Sequence, residues 1–407
     1  MTCRSHSATP YGLLAISLLA FTAFAAFIAL SVHQRLPMAD ALVYRAEGEA
    51  VLRGGADLYG FTVTEWQLPA TYPPFAALLF VPAALIPVAV LKAAFLVGNA
   101  LLVAVLIHLS ARLAGLTLGL PVRCAATALA LWLEPVFQTL LFGQINLALA
   151  CLILWDLTRP SGARWKGVAI GVAAGIKLTP AIFIAYLLLR GRLREACTAT
   201  AAFAGTVAVG VLTLPSASLD FWARRLYETD RVGKAWIVDN QSLQGLVARA
   251  LGTAEPGPAW ALPAAAVALT GLWLTARAAR ESHAVLLTAF TALLISPISW
   301  SHHWVWCVPL IAVLVAEGRL RTAWLVVVVF TARTMWLVPH EGALDLELPW
   351  WQQALAAPYP LLVLTIVCGS MISRCPNHSN HSIQLIHSIE QTGKSVCASR
   401  RFRSARR

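Results

Sequence analysis

The sequence predicts an all-α polytopic membrane protein, a bundle of about 12 transmembrane helices with large polar loops on one side. Three observations predict it. Of 407 residues, 58% are hydrophobic and only 12% charged, where a soluble chain carries about a quarter charged. The apolar residues fall in runs near the length that crosses a bilayer, about 20 residues, with basic turns between them. Fifteen Trp fit the aromatic belts at membrane interfaces.

Residues 12–32 form the first span. They outrun a signal-peptide h-region, and His33-Gln34-Arg35-Leu36-Pro37 follows where a small-x-small cleavage site would stand. The run is therefore expected to stay as an anchor directed outward, with loop 33–74 outside. Tyr72-Pro73-Pro74-Phe75 opens a short apolar segment, ending at Pro87, that is placed at the outer interface. Residues 91–109 return inward to a turn with Arg112 and Arg123, and 124–142 run out to Phe142–Asn146. Residues 147–157 come back to Arg159, Arg164 and Lys166.

The run 167–189 has basic turns on both sides, the second holding Arg190, Arg192 and Arg194, and is interrupted at Lys177-Leu178-Thr179-Pro180. It is expected to cross twice as two short helices, with Lys177 at the outer turn. A straight helix would leave the ammonium mid-membrane at high cost. Residues 195–214 lead to a second outer loop, 215–258, and 259–276 return to Arg277 and Arg280. Residues 284–298 reach Ser299-Trp300-Ser301-His302-His303-Trp304, and 305–316 come back to Glu317–Arg321. Spans 322–338 and 355–373 bracket an outer loop, 339–354, that carries Glu341, Asp345 and Glu347. Residues 1–373 thus form one transmembrane domain. The Ser-, His- and Asn-rich tail 374–407 is expected to be a solvated cytoplasmic segment.

The charges support this ladder. Inner turns and both termini hold 20 of the 31 Lys and Arg, and most of the ten placed outside lie in the two long loops, where the positive-inside rule has little force. The net charge of +12 therefore reads as membrane orientation and contact with membrane lipids, and no nucleic-acid partner is expected. Of eight cysteines, five fall inside apolar spans and three in the terminal segments, and no pair has zinc-ligand spacing. They read as small apolar fillers. No cofactor or metal is expected.

Sorted by side, the polar residues are unequal. The outer face collects Asp40, Glu47, Glu49, Tyr72, Gln144, Asn146, Lys177, Asp239, Asn240, Gln241, Ser242, His302 and His303, while the inner face holds little besides Arg and Lys. Polar groups at membrane depth are costly and usually functional, so a site at the outer leaflet is expected.

Several segments carry a resemblance. Asp40-x-x-x-Tyr44, then Leu52-x-Gly54-Gly55 and Leu58-Tyr59, is followed by Tyr72-Pro73-Pro74-Phe75 and Gly143-Gln144-Ile145-Asn146. Gly175-x-Lys177-x-x-Pro180, Asn240-Gln241-Ser242-Leu243 and Ser296–His303 complete the series. In that order they resemble glycosyltransferase family 87, the polyprenol-phosphate-mannose-dependent mannosyltransferases known from mycobacteria and related actinobacteria. The resemblance implies a GT-C fold in the plasma membrane, with the active site on the non-cytoplasmic face. It also implies a polyprenyl-phosphate sugar donor, a lipid or glycan acceptor and inversion at the anomeric carbon.

Asp40 is the position that matches the family's acidic base. A carboxylate there can take the proton of the attacking hydroxyl, and inversion needs one base and no covalent intermediate. The leaving phosphate needs a cation or oriented donors. Lys177, His302 and His303 are the candidates, with Arg224, Arg225, Arg231 and Lys234 behind them. Tyr44, Tyr72, Gln144, Asn146, Asn240 and Gln241 are expected to contact substrate.

Two other classes compete. A transporter or flippase would show matching broken helices in two halves, and only the break at Lys177–Pro180 fits. A lipid-binding assembly protein would not need Asp40.

Overall fold

The computed structural model describes residues 10–33 and 37–372. The expected tail 374–407 lies outside the described residues. Helices α1 (Pro10–His33), α2 (Ala39–Leu52), α3 (Pro74–Ala84) and α4 (Val88–Ala114) open the chain, with a two-stranded antiparallel ribbon, β1 (Thr62–Val63) and β2 (Leu68–Pro69), between α2 and α3. Next come α5 (Leu120–Ala130), α6 (Glu134–Phe142), α7 (Asn146–Thr158), α8 (Val168–Ile176), α9 (Ile182–Leu189) and α10 (Leu193–Thr213). The remainder are α11 (Pro215–Ala223), α12 (Leu243–Leu251), α13 (Pro258–Arg277), α14 (Glu281–Ile295), α15 (Cys307–Ala316), α16 (Leu320–Ala332), α17 (Trp350–Ala356) and α18 (Pro358–Ile372).

Among the described residues, α4, α10 and α13 are long and apolar enough to cross a membrane alone. Eight shorter apolar helices accompany them. This is a helical membrane protein with three self-sufficient spans among the described residues, where the sequence reading counted about 12 crossings.

Three expectations change. Span 124–142 is two helices, α5 and α6, bent by 72°. Pro135 lies in the first turn of α6, where its missing N–H costs nothing, and it could not continue α5. Loop 215–258 contains α11 and α12, and loop 339–354 contains α17. Amphipathic pieces only seven to nine residues long give no periodic signal long enough to separate from a loop. The break in 167–189 is present: α8 ends at Ile176, Lys177 is extended (φ −143, ψ 132), and a 3₁₀ turn over Thr179–Ala181 leads into α9.

The start and flank of α8 fix where that break falls. The buried Asp156 carboxylate accepts N–H groups from Gly167 (2.8 Å), Ala169 (3.1 Å) and Ile170 (3.3 Å), satisfying the free donors of the first turn. Gly167, Gly171 and Gly175 lie four residues apart on one face, and a Cβ at any of them would overlap α10, at Glu195, Ala199 and Thr206 respectively. Small residues at this spacing let two helix backbones touch, the packing that substitutes for hydrophobic drive within lipid. Gly171→Val would force α8 off the Ala199 carbonyl. It is expected to cost about 1–3 kcal/mol, read as a lower midpoint of thermal inactivation in detergent. An unchanged midpoint would refute this close packing.

Candidate active site

Asp40 lies in the first turn of α2, where the helix N-terminus favours a negative charge. The preceding Met38 is left-handed (φ 50, ψ 42) and fully buried, and its N–H donates to the Leu141 carbonyl at 3.0 Å. Gly143, also left-handed at φ +69, lets the α6–α7 turn press against this corner. A Cβ there would stand 2.8 Å from the Ala41 Cβ and 2.9 Å from the Met38 sulfur. A strained residue, locked on both sides, thus holds Asp40 beside the residue after Gly143, which is Gln144.

Gln144 organises the next layer. Its Oε1 accepts from the hydroxyls of Tyr44 (3.0 Å) and Tyr72 (3.3 Å) and from Asn146 Nδ2 (3.4 Å). That leaves its amide N–H₂ to donate to Asp40. Burial pushes the Asp40 carboxyl up to about 6, against the opposing pull of this hydrogen bond and of the Lys177 charge.

Lys177 enters from the break after α8. Its Nζ donates to Asn146 Oδ1 at 3.1 Å and meets His303 Nε2 at 2.9 Å, with the Tyr72 ring centroid 5.5 Å away. With the ammonium donating, His303 Nε2 carries the lone pair and Nδ1 the proton. Burial lowers the Lys177 ammonium to about 8, and the Asp40 charge pulls it back up. His302 is buried edge-on to Phe142 and His303, and neither of its ring nitrogens has a partner among the described residues. Asn146 Nδ2 and Thr139 Oγ1, both at 3.3 Å, hold the His302 carbonyl.

Asp40, Tyr44, Tyr72, Gln144, Lys177, His302 and His303 all line one open cavity of 1290 Å³. Asn146 borders an adjoining cavity of 50 Å³ that shares Lys177 and His303. Eight of the ten residues singled out in the sequence therefore converge.

Asn240 and Gln241 do not. Both are fully buried behind the wall, and their amides are taken up by backbone. Asn240 donates to the carbonyls of Ala235 (2.6 Å) and Pro297 (3.0 Å) and accepts from the N–H groups of Ser299 (2.8 Å) and Ser242 (3.2 Å). Gln241 donates to Val238 and Ala356, both at 2.7 Å, and accepts from Tyr359 N–H at 3.3 Å. They tie down the 297–303 turn and line neither cavity, where the sequence reading expected contact with substrate. The guanidiniums proposed behind Lys177 are also engaged: Arg224 and Arg225 pair with Asp220 and Glu228, and Arg231 donates to the Ala70 carbonyl.

Three further carboxyls are buried or half-buried nearby: Glu47 and Asp239, which the sequence reading placed on the outer face without a role, and Glu134, which it did not. Glu47 is buried seven residues beyond Asp40 on α2, so that Asp40, Tyr44 and Glu47 follow helical spacing. Burial holds its carboxyl well above the ordinary range. Asp239 lines the cavity and accepts from Ser301 N–H at 3.1 Å. Glu134, fully buried, accepts from Trp336 Nε1 (3.1 Å) and Tyr359 Oη (2.7 Å). The spacing in α2 was a readable signal for Glu47 and the outer-face position for Asp239; Glu134, inside an apolar run, carried none.

A helical membrane protein with a carboxylate and an ammonium on the wall of one open cavity has the equipment of a membrane-embedded group transferase. The chain belongs to glycosyltransferase family 87, whose sequence model matches residues 70–297. It is 32% identical over 346 residues, 78% of this chain and 79% of the relative, to a polyprenol-phosphate-mannose-dependent alpha-(1-2)-phosphatidylinositol mannoside mannosyltransferase of Mycobacterium tuberculosis. A phosphatidylinositol pentamannoside mannosyltransferase of the same species is 36% identical over 296 residues, 69% of this chain and 67% of the relative. A phosphatidylinositol mannoside enzyme of Mycolicibacterium smegmatis is 30% identical over 357 residues, 79% of this chain and 80% of the relative. No solved structure matches the chain.

Proposed function

We propose that this protein transfers mannose from a polyprenyl-phosphate donor to a hydroxyl of a lipid or glycan acceptor, in the plasma membrane and from its outer face, with about 12 crossings. The observation that carries this reading is that Asp40 and Lys177, brought from α2 and the α8–α9 break, line the same cavity. The relatives' names supply the donor class.

In the displacement, the acceptor oxygen attacks C1 of the sugar from the face opposite the phosphate. The C1–O bond to phosphate breaks, the new C1–O bond forms, and the hydroxyl proton passes to Asp40. Lys177 faces the phosphate oxygens as their charge grows, Asn146 and His303 hold its ammonium in place, and His302 offers its unpartnered nitrogens to the phosphate or a sugar hydroxyl. Inversion that yields an α-linked product starts from a β-linked donor.

Purified protein in liposomes, given polyprenyl-phosphate mannose and an α-mannoside acceptor, is expected to form a longer mannoside. Donor-driven solute flux without a glycosidic product would overturn the reading.

The two ionisations also set a pH profile. Asp40 must be deprotonated and Lys177 protonated, so kcat/KM is expected to rise through about pH 6 and fall above about pH 8. Bound donor adds a negative charge that favours both protonated forms, so both limbs of kcat should lie higher than those of kcat/KM. A profile flat from pH 5 to 9 would remove both groups from the rate-determining steps.

A further inference from the structure

We infer that the same cavity contains a separate subsite for the acceptor glycan, built from Trp300, Trp336, Asp345 and Lys234. The inference rests on the transferase reading and adds where the acceptor binds. All four residues line the cavity, and none belongs to the Asp40–Gln144–Lys177 network. Trp300 comes from the 297–303 turn, Lys234 from loop 215–258, Asp345 from loop 339–354 and Trp336 from the 3₁₀ turn Thr334–Leu337 just before it. At 1290 Å³, the cavity exceeds the roughly 300–1,000 Å³ of a pocket for one small ligand. There is room for a donor headgroup and a second sugar together.

The chemistry of the four residues selects a pyranose. Each indole is half-buried and fixed from behind. Trp300 is held by a backbone bridge to Asn240, and its six-membered ring packs against Gly233, where a Cβ would stand 2.7 Å from Cζ2. Trp336 is held by its Nε1 bond to buried Glu134, 3.1 Å. A rigid indole presents a flat, weakly negative face that matches the C–H face of a sugar ring.

Asp345 is 1% exposed. Its Oδ1 accepts from Val238 N–H at 2.7 Å, and its Oδ2 has no partner among the described residues. A buried acceptor with no partner, on a residue that lines the cavity, asks for a donor such as a sugar hydroxyl. Lys234, whose ammonium lies 5.1 Å from the Trp236 ring centroid, supplies a donor for a hydroxyl oxygen. Fixed aromatic faces with one unpartnered carboxylate and one ammonium form a polar-edged platform for a neutral hexose.

Initial rates with polyprenyl-phosphate mannose and octyl α-D-mannoside test the assignment. Trp300→Ala, Trp336→Ala and Asp345→Asn are each expected to raise the octyl mannoside KM at least tenfold, while the donor KM stays within twofold of wild type. Trp336→Phe, which keeps a ring, should fall between. An unchanged acceptor KM in all three, or a parallel rise in donor KM, overturns the subsite while wild-type transfer continues; absence of transfer by wild type instead overturns the transferase reading. Should the alanine variants fail to fold, saturation-transfer NMR on wild-type protein decides. Irradiating aromatic protons should saturate the ring C–H protons of octyl mannoside, and no transfer would refute the platform.

Discussion

Asp40→Asn is expected to lower turnover by about 10²–10⁴-fold, the range lost when a positioned general base is removed. Asn keeps the shape of the side chain and can still accept from the Gln144 amide, so α2 and the Met38–Gly143 corner should survive. The donor KM should change little, because donor phosphate is assigned to Lys177. A second consequence separates this outcome from general damage. The Asp40 charge supports the Lys177 ammonium, so neutralising it should move the basic limb of the pH profile to lower pH while the acid limb disappears. Radiolabelled transfer at saturating acceptor, measured from pH 5 to 9, reads both. Wild-type turnover in the variant would remove Asp40 from the mechanism.

The site was legible to different depths. Asp40, Tyr44 and Lys177 stood out because a charge or phenol beside a long apolar run costs energy unless it is used. The break at Lys177–Pro180 was visible for a second reason, since basic turns on both sides demanded an even number of crossings. Asn240 and Gln241 carry the same polar signal but face the other way. Both satisfy backbone inside the protein, and sequence alone does not separate an amide that meets a ligand from one that meets a carbonyl. The bend at Glu134–Pro135 shows the same limit for the fold. A continuous apolar run reads as one span, while proline chemistry allowed a sharp turn that only packing decides. Asp345 was placed in an outer loop without a role and Trp336 fell within span 322–338, because what brings them together is a cavity wall assembled from distant segments.

Lys177→Ala is expected to be the second severe loss, lowering turnover by about 10²–10³-fold, as removal of one preorganised donor to a developing negative charge does. The geometry makes the loss specific. The ammonium is the group that Asn146 Oδ1 and His303 Nε2 both face, at 3.1 Å and 2.9 Å, and removing it leaves those acceptors without their donor. Lys177→Arg should recover only part of the rate, because a planar fork cannot repeat the ammonium's contacts in the same space. The decisive comparison uses a donor with a better leaving group. A dinitrophenyl mannoside departs as a stabilised phenolate and needs little help from a cation, so the deficit of Lys177→Ala relative to wild type should shrink with it. The deficit of Asp40→Asn should persist, since the acceptor hydroxyl still has a proton to lose. If the Lys177 deficit is the same with both donors, the ammonium does not serve the leaving group, and the phosphate must be met elsewhere on the cavity wall.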